Sequence, residues 1–130
     1  MKEEFIYMCF VQNIHTKEIC IKLGYSSNIE ARMKQLQQRN EHYQYSDFLL
    51  FKHKKKRYGY LRDEQLIHIK NRKYVAPINP YAMPEGYTEC YEFGYGYDLV
   101  DQLRELGYEC VNVEDEVEVQ TQTQTPMFQW

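Results

Sequence analysis

Residues 20 to 37, CIKLGYSSNIEARMKQLQ, pass from strand-like to helix-like sequence through a Lys-Leu-Gly corner. Up to Gly24 the pattern is apolar and β-rich. After it, Ser27 and Glu30 have capping-box spacing with Ser27 as N-cap, and Ile29, Met33 and Leu36 recur at helical spacing. The stretch predicts a strand closing near Gly24 and a helix from about Asn28 to Gln38. Lys22, Gly24 and Arg32 surround the corner although none of them helps to fill a core. Helical side chains lean toward the N-terminus, so Arg32 points back at the strand end that carries Lys22 and Gly24. Two cations beside a helix N-terminus make a seat for a phosphate. The plainer alternative is an exposed helix arginine next to a turn glycine.

Upstream, Phe5 to Gln12 (FIYMCFVQ) is aromatic and β-rich, and the polar Asn13 to Lys17 separates it from Glu18 to Gly24. That pattern reads as a β-hairpin with a loop of about five residues. Downstream, a polar stretch from Arg39 to Ser46 leads into a third strand, Asp47 to Lys52, and a second helix follows over about Tyr60 to Arg72. Pro77, Pro80 and Pro84 keep Ala76 to Gly86 irregular. Thr88 to Phe93 (TECYEF) is a short extended piece, Asp98 to Leu106 a third helix stopped by Gly107, and Glu109 to Val113 (ECVNV) a candidate further strand.

A chain of 130 residues and 15.8 kDa suits one compact domain. We assign it to residues 1–113. Residues 114–130 read as an acidic, Gln- and Thr-rich mobile tail, with an edge strand that seams a homodimer as the alternative to a monomer. There is no run of about 18 apolar residues, and MKEEFIYM is too acidic and short for a signal peptide, so a soluble, intracellular protein without a membrane partner is expected. Cys9, Cys20, Cys90 and Cys110 lie far apart with no CxxC pair, against a zinc knuckle or a disulfide framework. The 13 Tyr against 6 Phe read as half-exposed packing positions, with stacking platforms for bases as the alternative.

The net charge of −3 hides a division. Met1 to Pro84 carries 15 Lys+Arg against 8 Asp+Glu, which is +7, whereas Glu85 to Trp130 carries 1 against 11, which is −10. A polyanion partner for the basic part is one reading, and mutual neutralisation on folding is the other. The basic residues concentrate in KHKKKRY (Lys52, Lys54, Lys55, Lys56 and Arg57), with Lys70, Arg72 and Lys73 extending them at the helix end. Such a run suits phosphate contacts without sequence reading, or simply a solvated loop.

The second helix carries an anomaly. At 100° per residue, Tyr60, Leu61, Glu64, Ile67 and His68 share one face, and a carboxylate on an inward stripe is costly unless paired. Its partner is either a basic side chain such as Arg32 or Lys22, or a divalent metal with phosphate and water completing the shell. His68 reads as a hydrogen-bonded core histidine or as a member of the site.

Taken in order, FIY (Phe5 to Tyr7), KLGYS (Lys22 to Ser26), Arg32 within EARMKQL, Glu64 and His68 within DEQLIH, and ECYEF resemble the GIY-YIG nuclease superfamily. The likeness is greatest to its divergent phage, bacterial and large-DNA-virus branch, where the second motif commonly reads Lys-Ile-Gly-Tyr-Ser/Thr. It covers about Phe5 to Leu106. The resemblance implies an α+β fold, a small three-stranded antiparallel or mixed sheet with flanking helices, and a metal-dependent endonuclease acting on DNA, or on RNA or branched forms. It implies catalytic roles for Tyr7, Lys22 and Arg32, and Glu64 as ligand of Mg²⁺ or Mn²⁺; His68 joins the catalytic candidates through its place one turn after Glu64. By the same likeness Glu89 lies beside the site. Phe5 replaces the first glycine and Lys22 the second tyrosine, and a lysine replaces a phenol as base only if its pKa is strongly depressed. The alternatives are an impaired nucleic-acid or nucleotide-binding module and a protein-interaction domain using the tail strand.

Overall fold

A computed structural model describes residues 3–112; the tail assigned to 114–130 lies outside them. The hairpin forms as its pattern predicts, with β1 (Phe5–Asn13) antiparallel to β2 (Ile19–Ser26). The helix α1 (Ile29–Arg39) follows. Its N-cap is Asn28 rather than Ser27: Asn28 Oδ1 accepts from the Ala31 N–H, while the Ser26 hydroxyl accepts from the Asn28 N–H at 2.9 Å. The corner is thus one residue longer than the capping-box spacing suggests.

Strand β3 (Tyr43–His53) begins four residues before the Asp47 start expected. The reason is a bulge. Met8 pairs with Leu49 but Phe10 with Ser46, and Asp47 takes up the extra residue at φ 55°. Before the bulge, Tyr43 and Tyr45 face one side of the sheet; after it, Phe48 and Leu50 do. The inserted residue breaks the period of two, so the polar stretch looked like a loop.

The helix α2 (Tyr60–Lys70) is followed by a 3-10 turn at Arg72–Tyr74. Then come the irregular proline segment, β4 (Cys90–Glu92), α3 (Gly96–Glu105) and β5 (Tyr108–Cys110). Gly107, at φ 102°, closes α3 as its position predicts. The antiparallel sheet has five strands in the order β4-β2-β1-β3-β5, two more than the three expected, because the short TECYEF and Tyr108 segments each add to an edge. The α+β class is as expected.

Strand alternation gives the sheet two faces. On one, Ile6, Met8, Ile21, Leu23, Phe51 and Tyr91 bury against Tyr60 and Ile67 of α2 and Leu99 and Leu103 of α3. On the other, Tyr7, Cys9, Val11 and Tyr45 pack with Ile29 and Leu36 of α1 and with Met83 from the proline segment. No helix among the described residues is long and apolar enough to cross a membrane. The four cysteines are free thiols; burial pushes the Cys9 thiol up to about 12, leaving it inert at neutral pH.

Candidate active site

The hairpin register sets Tyr7 opposite Gly24 and Cys9 opposite Lys22, so tyrosine and lysine share the α1 face on neighbouring strands. Tyr7 is fully buried and its ring lies on Gly24 so closely that a Cβ there would fall 2.5 Å from its Cζ and Oη. The glycine is needed for this approach. Among the described residues the Tyr7 hydroxyl is buried without a hydrogen-bond partner. Burial raises its pKa, against the opposing pull of Lys22 and Arg32. The guanidinium thus acts on the phenol electrostatically, without a well-formed hydrogen bond to it. At neutral pH Tyr7 is a protonated phenol, a donor lacking an acceptor.

Lys22 is buried, and its Nζ lies 2.5 Å from Glu89 Oε1. Burial alone would lower its pKa, but Tyr7 and Glu89 outweigh that and the net shift is upward. Lys22 is therefore a fixed cation and cannot serve as the base that the second tyrosine's place would suggest. Gly86, at φ 97°, completes this corner: a Cβ there would stand 2.6 Å from Lys22 Nζ. Arg32 reaches back from α1 as predicted, its Nη1 donating to the Tyr25 carbonyl at 3.3 Å, and lines a cleft of about 770 Å³ together with Lys22, Gly86 and Glu89.

Glu64 is buried on α2, as its place on the inward stripe required. Its neighbour on that stripe differs from expectation: Leu61 is exposed, and Asp63 is buried instead, accepting from Tyr108 at 2.6 Å and pairing with Lys56 at 2.5 Å. The partner of Glu64 is neither Arg32 nor Lys22 but His68, one turn on, whose Nε2 lies 3.0 Å from Glu64 Oε2. The same nitrogen lies 3.0 Å from the Leu23 carbonyl, while Nδ1 lies 2.7 Å from the Tyr91 hydroxyl. Carbonyl and carboxylate only accept, so these partners assign the proton to Nε2 and leave Nδ1 to accept from Tyr91. The imidazole also stacks on Tyr91 with rings 4° from parallel. His68 is held on every side and orients Glu64.

Glu64 and His68 lie on the α2 side of the sheet, and neither lines the cleft. Glu89 joins the two halves. It stands just before β4, its carbonyl accepting from the Leu23 N–H at the end of the β2–β4 ladder. Ligand atoms of Glu64, His68 and Glu89 fall within 4.8 Å of one another, and the same Glu89 carboxylate holds Lys22 on the other face. Sequence reading placed Glu89 near the site only through the family likeness; its link to Lys22, and the Tyr91 hydroxyl on His68, carry no sequence signal. Of Tyr91 and Phe93, expected as one core face of a short strand, Tyr91 is core, whereas Phe93 is exposed because β4 ends at Glu92 and the chain turns into a 3-10 helix there.

The basic loop lies elsewhere. It leaves β3 at its β5 end and enters α2 at Gly59, whereas His68 and Glu89 lie over the β2–β4 edge. Two of its cations serve the fold: Lys52 donates to the Glu4 carbonyl at 3.0 Å beside the Phe5 and Tyr60 rings, and Lys56 holds Asp63. Lys54, Lys55 and Arg57 are exposed, as are Lys70, Arg72 and Lys73 beyond His68.

The family model of the T5orf172 domain matches residues 4–106. No curated protein and no solved structure matches the chain.

Proposed function

This chain belongs to the T5orf172 domain family, and from that membership together with its cleft we propose that it is a GIY-YIG-type endonuclease that hydrolyses phosphodiester bonds in DNA with a divalent cation. The observation that carries this reading is the Tyr7 hydroxyl, buried without a protein acceptor and flanked by the Arg32 and Lys22 cations. A phosphate oxygen, or a water attacking the phosphorus that carries it, is the chemical complement of that trio.

The donor set at Glu64 fits a hard cation. Its buried carboxylate faces an imidazole nitrogen rather than a lysine or arginine, and the Glu89 carboxylate stands close by. Glu64 would hold Mg²⁺ or Mn²⁺. A cation bound there supplies Lewis-acid stabilisation of charge on the phosphoryl oxygens. The chain's own groups do the rest. Arg32 neutralises a phosphate oxygen as charge builds up, Lys22 fixes that phosphate as a permanent cation, and Tyr7 orients the attacking water through its hydroxyl. His68 keeps Glu64 aimed.

Supercoiled plasmid incubated with Mg²⁺ or Mn²⁺, and in parallel with EDTA, tests this. Cation-dependent nicking that is lost in Glu64→Gln and in Arg32→Ala is expected; nicking that survives both substitutions overturns it. A second reading, a binding module, draws on the raised pKa of Lys22, which removes one potential base. A salt-sensitive gel shift without nicking under either cation would favour it.

A further inference from the structure

The proline segment is not a slack connection. Tyr81 sits at its tip, between Pro80 and Ala82, and the backbone there is held on both sides. The Tyr81 N–H donates to Asn79 Oδ1 at 2.8 Å, and the Ala82 carbonyl accepts from Asn40 Nδ2, at the end of α1, at 2.9 Å. Met83, two residues on, is buried in the α1-side core. Yet Tyr81 is 90% exposed, the largest exposure among the described large hydrophobic residues, and it lines the same cleft as Arg32 and Lys22. An aromatic side chain on a backbone held in place, at the rim of a cleft where Lys22 and Arg32 stand among the carboxylates of Glu41, Glu85 and Glu89, gains apolar burial and stacking when a ligand covers it.

We propose that Tyr81 is a stacking platform for an unpaired nucleobase next to the phosphate held by Arg32 and Lys22, so that the cleft takes single-stranded nucleic acid, or an unpaired stretch within it, rather than an intact duplex. Every base presents a π-face, so stacking there is sequence-tolerant, whereas the faces of paired bases are covered by their neighbours. Gln35 and His42 also line the cleft and offer an amide and an imidazole to the edge of a stacked base. This inference rests on the nuclease reading for the phosphate and adds the nature of the strand that carries it.

Fluorescence anisotropy in EDTA separates the two. The probes are a labelled eight-nucleotide oligo-dT, an abasic strand with the same number of phosphates, and the oligo-dT annealed to its complement. Wild-type protein should bind oligo-dT about tenfold more tightly than either other probe, the order expected for one base–aromatic stack. Tyr81→Ala should erase that preference and Tyr81→Phe should keep it, while Arg32→Ala weakens all three probes alike. Equal binding of oligo-dT and the abasic strand by wild type, or a preference unchanged in Tyr81→Ala, overturns the platform while leaving the phosphate site standing. Absence of binding to every probe removes both.

Discussion

Glu89 Oε1 lies 2.5 Å from Lys22 Nζ, and through this contact a carboxylate at the edge of the sheet ties the lysine on one face to the Glu64–His68 pair on the other. Glu89→Gln leaves a buried cation without its anion. Because Glu89 itself is partly exposed and water can reach the pair, the loss should be about 1–3 kcal/mol rather than the larger cost of a fully buried pair. Lys22→Met added to Glu89→Gln should recover most of it. Urea denaturation of the two single variants and the double variant checks this; strict additivity would show that the two groups are not coupled.

The Tyr7 hydroxyl should weaken the fold while serving the site. Its burial without a partner costs folding free energy, so Tyr7→Phe is expected to be as stable as wild type or more stable by about 1 kcal/mol, while plasmid nicking falls at least tenfold. Gly24→Ala should do the opposite: the new methyl collides with the Tyr7 ring and destabilises by about 1–3 kcal/mol. Thermal unfolding and nicking rates measured on both variants separate the two effects.

Asp63 sets an acid limb in stability. Burial pushes its carboxyl up, but the Lys56 ammonium and the Tyr108 hydroxyl outweigh that and hold it below its ordinary 3.8. A depressed folded pKa means stability that is present above 3.8 and is lost as pH falls through the lower folded value. Asp63→Asn should therefore be less stable than wild type at pH 7, with a gap that narrows in strong acid. Denaturation midpoints across pH 2 to 7, an interval chosen to bracket that carboxyl, measure it.

The cations of the 52–57 loop should divide by role. Replacing exposed Lys54, Lys55 and Arg57 with Gln should lower the slope of log K against log salt for DNA by about 2 to 3 without changing the melting temperature. Replacing Lys52 and Lys56, which are bound up with Glu4 and Asp63, should lower stability instead.

Much of the fold was legible because it is local. Alternation in FIYMCFVQ and the helical spacing of Ile29, Met33 and Leu36 are properties of neighbouring residues, and the hairpin and first helix formed where those patterns lay. The beginning of β3 was hidden because the bulge at Asp47 shifts its alternation by one. The inward stripe of α2 was right at Tyr60, Glu64, Ile67 and His68. It was wrong at Leu61, because the buried rim on that side is set by Tyr108, a residue of a strand that no helical period can announce.

The site divides the same way. Sequence alone determined that Glu64 would be an acid on a buried face, that Arg32 would turn back toward Gly24, and that Tyr7 and Lys22 would lie on adjoining strands of a hairpin. Tertiary structure decided which charges meet. Lys22 and Glu89 are 67 residues apart, and they touch because β4 adds to the free edge of β2 and begins just after Glu89, placing the glutamate where both faces of the sheet are within reach. Periodicity describes which side of an element a residue occupies; only the order of strands determines what stands opposite.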